Sequence, residues 1–106
     1  MDPKIKHLVD RVKTHLHELY GEGIKRVILY GSHARGEATK NSDVDVLVLV
    51  DQSLNPSEVR RSIGNLLFDI ILEEDEVISV IVLSEDFFEA HNLPFMLNVR
   101  KEGVTA

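Results

Sequence analysis

Apolar residues recur through the first twenty positions of the chain at the spacing of one helix face. They are Ile5, Leu8, Val9, Val12, Leu16 and Leu19, and polar residues separate them. Asp2 and Pro3 form the cap-then-proline pair typical of a helix start, and Gly21 and Gly23 follow the last apolar position. The pattern predicts an amphipathic helix that begins at Pro3 and ends before Gly21.

Three short apolar runs rich in Val, Ile and Leu predict β-strands. They cover residues 26–30 (RVILY), 43–50 (DVDVLVLV) and 77–83 (VISVIVL). The middle run is apolar at nearly every position after Asp45, which is typical of a strand covered on both faces. We therefore expect the second strand to lie inside the sheet, with helices on either side of it.

Helical segments separate these strands. The predicted helices are a short one over 33–38, one from Pro56 that includes Ile71, one from Glu85, and one over 94–101, with an acidic turn at 73–76 and a short tail after Gly103. The resulting order is α-β-(α)-β-α-β-α, and it predicts an α/β (α+β) fold: a small mixed sheet of three or slightly more strands with helices packed against it. Residues 1–106 are expected to form one domain.

Composition narrows the class of protein. The formal net charge is −6, which argues against direct nucleic-acid binding because gripping a phosphate backbone needs clustered Lys and Arg. The chain has no cysteine, so thiol catalysis and disulfides are excluded. No apolar run is long enough to span a bilayer, and the N-terminal segment is charged. We expect a cytoplasmic protein without a membrane partner; self-association stays open.

The candidate chemistry lies in the stretch from Gly31 to Asp45. Gly31 directly follows the first strand, where a glycine permits a sharp turn and close approach of a ligand, and Ser32 then begins a short helix. Asp43 and Asp45 are two residues apart, so on a strand they would point to the same face. Two aligned carboxylates can hold Mg²⁺, which in turn binds phosphate oxygens.

The motif GSHARGEATKNSDVD resembles the signature of the minimal nucleotidyltransferases of the polymerase-beta superfamily, which are antitoxin-type partners of HEPN-domain proteins. The resemblance implies that Gly31, Ser32 and Arg35 bind the nucleotide, ATP or another NTP, although Arg35 could equally be a structural surface residue. It implies that Asp43 and Asp45 are the catalytic carboxylates and bind Mg²⁺. It also implies a minimal polymerase-beta-like fold and a HEPN-domain partner.

One position departs from the family pattern. The superfamily carries a third carboxylate on a following strand, and this chain has Ser79 at the expected place. Glu76 is the nearest substitute by position, although a solvated turn is the simpler interpretation. Two hypotheses follow: an enzyme that transfers AMP to a hydroxyl of a partner protein, or a weakly active or inactive module that neutralises its partner by binding. Transfer to a small molecule ranks below both.

Overall fold

A computed structural model describes residues 2–106 of the chain, and its centre is a four-stranded mixed sheet. The strands are β1 (Ile24–Tyr30), β2 (Val44–Val50), β3 (Ile78–Ser84) and β4 (Val104–Thr105), in the spatial order β3-β2-β1-β4. β1 pairs antiparallel with both β2 and β4, whereas β2 and β3 run parallel. The predicted small mixed sheet is confirmed.

One face of the sheet is covered by three helices: α1 (Pro3–Tyr20), α3 (Pro56–Ser62) and α4 (Gly64–Glu74). Asp2 caps α1, because its carboxylate accepts the backbone N–H of Lys4 at 2.8 Å and of Ile5 at 3.4 Å. The apolar face predicted for α1 is buried, except for Leu19. These helices and one face of the sheet form the larger hydrophobic core.

The opposite face carries α5 (Glu85–Ala90) and α6 (Pro94–Glu102), and a second core lies beneath them. Its buried residues are Ile28, Leu47, Leu49, Phe88, Met96 and Val99. β2 therefore has a core on each side, which explains its unbroken apolar sequence. Phe88 and Met96 belong to the core, whereas Phe87 is exposed.

Several predicted boundaries were wrong. The short helix α2 spans Ser32–Arg35 rather than 33–38, because Gly36 adopts a left-handed conformation (φ 73°) that ends it. The helix predicted after Asn55 is two helices. Ile63 leaves helical geometry (φ −104°, ψ 2°) between α3 and α4, immediately before Gly64.

Two further differences concern the ends of elements. α4 continues to Glu74, so Glu73 is helical rather than part of the predicted acidic turn. The predicted tail contains β4, which pairs with Ile28 and Leu29 on the edge of the sheet. β1 also begins earlier than predicted, at Ile24. Within the described residues 2–106, no helix is long and apolar enough to cross a membrane.

Candidate active site

The turn between β1 and α2 is built on Gly31. Its backbone has φ 77° and ψ −157°, a conformation that residues with a side chain rarely adopt. Its carbonyl accepts the N–H groups of Ala34 and Arg35, each at 3.1 Å, and so joins the strand end to the helix. Ser32 is the first residue of α2, as the motif required.

The carboxylate of Asp45 fills the space beside Gly31. A Cβ placed on Gly31 would lie 3.2 Å from Cγ of Asp45 and still closer to its Oδ2, nearer than real side chains approach. In a plain β-turn, a glycine would not be needed to make room for a carboxylate. The close approach brings the Gly-Ser turn and one of the two predicted carboxylates into a single site.

Strand register sets the neighbours of Asp45. It lies opposite Tyr30 in the antiparallel β1–β2 pair and beside Ser79 in the parallel β2–β3 pair. Asp43 lies just outside the strand, which begins at Val44 rather than at the predicted residue 43. The two residues lie at the same end of β2, where Asp43 is exposed and Asp45 is half-buried.

The electrostatics of the pair favour a bound cation. Burial, and after it the nearby charge of Asp43, raise the pKa of Asp45, while His33 and Arg35 partly oppose the shift. Two neighbouring carboxylates that repel one another fit a divalent ion such as Mg²⁺, which takes oxygen ligands. Among the residues that the structure describes, no cluster of three or more Asp, Glu, His or Cys could hold a metal. Asp43 and Asp45 are the carboxylates that would hold such an ion.

The absence of a third carboxylate next to Asp45 agrees with the sequence. Ser79 occupies the neighbouring strand position, as predicted. Glu76 lies before β3, and its carboxylate is 3.6 Å from the Lys4 ammonium. Glu73 pairs with Arg11 at 3.1 Å. Both glutamates are thus engaged with cations on α1.

Glu102, at the end of α6, is a site residue that sequence reasoning missed. Its Oε1 accepts the backbone N–H of Gly31 at 3.2 Å, and its two carboxylate oxygens lie 3.1 and 3.2 Å from Nη1 of Arg35. Nε of Arg35 also donates to Glu37 at 3.2 Å. The side chain predicted to bind nucleotide is therefore held by two carboxylates. No local motif marks Glu102, because 67 residues separate it from Arg35.

Two further side chains border the carboxylates. His33 is half-buried, with Nε2 3.4 Å from the carbonyl oxygen of Ser42. Tyr30 packs edge-on against Phe95, with ring centroids 5.3 Å apart. Burial, and secondarily the charge of Asp45, raise the pKa of Tyr30 to about 12. The Tyr30 ring therefore packs against the core and lies opposite Asp45 in the sheet.

Comparisons with known proteins agree with this geometry. The family model for the nucleotidyltransferase domain matches residues 9–102. A Methanocaldococcus jannaschii protein, "Putative protein adenylyltransferase MJ0604", is 35% identical over 93% of this chain and 90% of its own length. A second protein of that organism, "Putative protein adenylyltransferase MJ0141", is 32% identical over 65% of this chain and 75% of its own length.

Solved structures show the same fold at low sequence identity. A toxin-antitoxin crystal structure with AMP-PNP covers 91% of this chain and 70% of the matched chain, with a TM-score of 0.59 and 17% identity. A "putative nucleotidyltransferase from Sulfolobus solfataricus" covers 96% of this chain and 78% of its own, with a TM-score of 0.58 and 19% identity. At these identities the likeness concerns the fold alone.

Proposed function

Because the chain belongs to the nucleotidyltransferase family, we propose that it transfers a nucleoside monophosphate, AMP from Mg-ATP, to a hydroxyl group of a partner protein. The observation that carries this proposal is the carboxylate of Asp45 packed against the Gly31 turn, with Asp43 beside it. A turn that can accept phosphate and a pair of metal-binding carboxylates are then adjacent.

In the proposed reaction, the hydroxyl oxygen of the acceptor forms a bond to the α-phosphorus, and the bond from that phosphorus to the bridging oxygen breaks. Pyrophosphate leaves, and the hydroxyl proton passes to water. Gly31, Ser32 and Arg35 would hold the phosphates, while Asp43 and Asp45 would hold Mg²⁺. When bound, that ion neutralises phosphate charge and aligns the reacting groups. Positioning then accounts for most of the catalysis.

The identity of the acceptor rests on resemblance and on the comparisons. The M. jannaschii relatives carry the name protein adenylyltransferase, and one structural neighbour is a toxin-antitoxin assembly. We propose that the acceptor is a HEPN-domain protein and that this chain acts as the antitoxin of the pair. The net charge of −6 suits a protein partner better than a nucleic acid.

A second function has one observation in its favour. Ser79 lies where a third carboxylate would assist the attacking hydroxyl. Without that group the chain could neutralise its partner by forming a complex, with little or no transfer. Both functions use the same partner, so a covalent product is what separates them.

The deciding experiment is an intact-mass measurement of the HEPN-domain protein encoded beside this chain. The protein is incubated with this chain, Mg²⁺ and ATP, and in parallel with the Asp43→Asn variant. We expect a mass increase equal to one or more AMP groups with the wild type and none with the variant. A stable complex without any mass increase would instead support the binding module.

A further inference from the structure

The outer side of α4 is apolar and uncovered. Phe68 and Leu72 are 58% and 69% exposed, and Ile71 between them is 39% exposed. Leu67 and Ile70, on the other side of the same helix, are buried in the core. Asn65, Asp69 and Glu73 form the polar side of this helix. The exposed Phe68, Ile71 and Leu72 beside it are apolar surface that the described residues leave uncovered. We call Phe68, Ile71 and Leu72 the α4 stripe.

The α4 stripe and the carboxylates of the candidate active site lie at the same end of the sheet but on its opposite faces. α4 ends at Glu74, and the chain enters β3 at Ile78 after only three residues. The last of these, Val77, is 46% exposed, and its carbonyl accepts the N–H of Val44 at 2.8 Å. Val44 directly follows Asp43. Asp45 lies on the other face of the sheet, as Leu47 and Leu49 do, so a protein seated on the stripe would reach the carboxylates by extending past Val77 and around the β3 edge.

The charged residues beside the α4 stripe indicate what kind of protein would bind there. The stripe is accompanied by the carboxylates of Asp69, Glu74 and Asp75, and within the described residues none of the three has a cation within the 4.0 Å of an ion pair. A second copy of this chain would bring the same acids together across a two-fold axis. Like charges at an interface are unfavourable, whereas Lys and Arg from a different protein would be attracted.

We propose that the α4 stripe is the docking surface for the acceptor protein, which presents an apolar patch bordered by Lys and Arg. This inference rests on the proposed function, since it names the surface by which the acceptor is selected. The apolar residues give the complex its affinity, and the acids give it orientation and speed of association. The hydroxyl that receives the nucleotide is then chosen by its distance from the stripe.

The test measures complex formation and transfer separately, with the HEPN-domain protein encoded beside this chain as the probe. The double variant Phe68→Ser/Leu72→Ser should weaken binding by about tenfold or more, as interface anchors do. The matched control is Leu19→Ser, which removes another exposed leucine (52%) in the last turn of α1, at the end of the sheet away from Asp45, and should bind normally. Thermal melts show that each variant is folded.

A second variant tests the charge requirement. Asp69→Lys/Asp75→Lys should also weaken binding, and wild-type affinity should fall as salt is added. Unchanged or tighter binding by this variant would overturn the proposal that the partner surface carries Lys and Arg. Size-exclusion chromatography with light scattering tests for a dimer of this chain; a dimer that the double variant Phe68→Ser/Leu72→Ser dissociates would assign the stripe to a second copy and overturn the proposal.

Binding and mass readouts distinguish the two proposals. Loss of binding in the stripe variant, with no AMP added to the partner by the wild type, would support the docking surface and reject the transfer. AMP addition that proceeds equally in the stripe variant would support the transfer and reject the docking surface. If the wild-type chain does not bind the HEPN-domain protein, the acceptor named in both proposals is rejected.

Discussion

Ser79 lies directly beside Asp45 in the parallel pairing of β3 with β2. It stands where a third carboxylate would complete the site, so Ser79→Asp should raise the affinity for Mg²⁺ and the rate of AMP transfer, by about tenfold. Without metal the variant should melt at a lower temperature, because a third carboxylate joins two that already repel. The measurements are transfer kinetics and melting with and without Mg²⁺.

The matched control for that change is Ser79→Asn, which has nearly the same shape as the aspartate variant without its charge. It should leave the Mg²⁺ affinity near that of the wild type. If the aspartate and asparagine variants behave alike, the position beside Asp45 does not face the metal, and the family pattern has been misplaced on this chain.

The ionised carboxylate of Asp45 should lower the stability of the folded protein and should be necessary for AMP transfer. Burial and Asp43 raise its pKa, so the folded protein binds this proton more tightly than the unfolded chain does. Its contribution to stability is fully present below the ordinary pKa of 3.8. That contribution is lost as the pH rises through the higher pKa that Asp45 has in the folded protein. At pH 7 without metal, Asp45→Asn should therefore melt at or above the wild-type temperature. Transfer should fall by about 100-fold or more.

Asp51→Asn should change the stability in the direction opposite to Asp45→Asn. Hydrogen bonds from Ser53, first from its side chain and then from its backbone, lower the pKa of Asp51. Its stabilisation is present above the ordinary pKa of a carboxyl group and is lost as the pH falls, so this variant should melt below the wild type at pH 7. Melting curves at pH 7 with added EDTA compare the two. A lower melting temperature for Asp45→Asn would contradict the repulsion inferred from its surroundings.

Two glycines with positive φ differ in what a side chain would cost: ψ is 21° at Gly36, in the left-handed helical region, and −157° at Gly31, in a region that is essentially restricted to glycine. Gly31 and Gly36 have φ values of 77° and 73°, but an added Cβ meets Asp45 at Gly31 and meets nothing within 4 Å at Gly36. Gly36→Ala should cost about 1–2 kcal/mol of stability from backbone strain and retain transfer. Gly31→Ala should cost more and also lose nucleotide binding, because Asp45 must move. Urea unfolding and nucleotide titration measure both quantities, and equal losses at the two positions would show that crowding against Asp45 is unimportant.

We expect Glu102 to compete with nucleotide phosphate for two donors at the site. Its carboxylate accepts from both the Gly31 N–H and Arg35, groups that the family resemblance assigns to the nucleotide. Glu102→Ala should therefore lower the melting temperature and tighten ATP binding several-fold, since two donors are freed and one negative charge is removed. Isothermal titration calorimetry with Mg-ATP gives the affinity.

Glu37→Ala is the matched control, because it removes only the contact of Glu37 with Nε of Arg35 and leaves Gly31 and Glu102 joined. Its effect on ATP affinity should be smaller than that of Glu102→Ala. Weaker ATP binding after loss of Glu102 would mean that this carboxylate positions Arg35 for the phosphates rather than competing with them.

The sequence predicted those parts of the molecule that depend on local pattern. The face of α1 and the double coverage of β2 follow from periodicity, and the structure bears them out. The place of Ser79 was expected from the family resemblance, and the strand register puts it beside Asp45. The closeness of Asp45 to Gly31 was suggested by the motif, but only the fold shows that the carboxylate fills the space of a side chain.

The features that sequence did not reveal depend on contacts between distant segments. Glu102 reaches Gly31 across 71 positions, and the two residues of β4 are too few to give an alternating pattern. The break at Ile63 has one local signal, the glycine that follows it at position 64, which by itself does not separate a weak helix from two helices. The uncovered side of α4 was invisible because its apolar residues continue the pattern of the core, so only measured exposure separates Phe68 from Leu67.

Tyr30 should make the stability of the protein fall at high pH. Burial and the charge of Asp45 raise its pKa from 10.0 to about 12, so its contribution is intact below pH 10 and is lost as the pH rises toward 12. Tyr30→Phe, which has no proton to lose, should reduce the drop in unfolding free energy between pH 9 and pH 11.5. Tyr20→Phe controls for the loss of a tyrosine elsewhere and leaves Tyr30 as the only phenol to follow by ultraviolet titration. Because Asp45 contributes to the shift, adding Asp45→Asn to that variant should lower the titration midpoint of Tyr30; an unchanged midpoint would show that burial alone sets it.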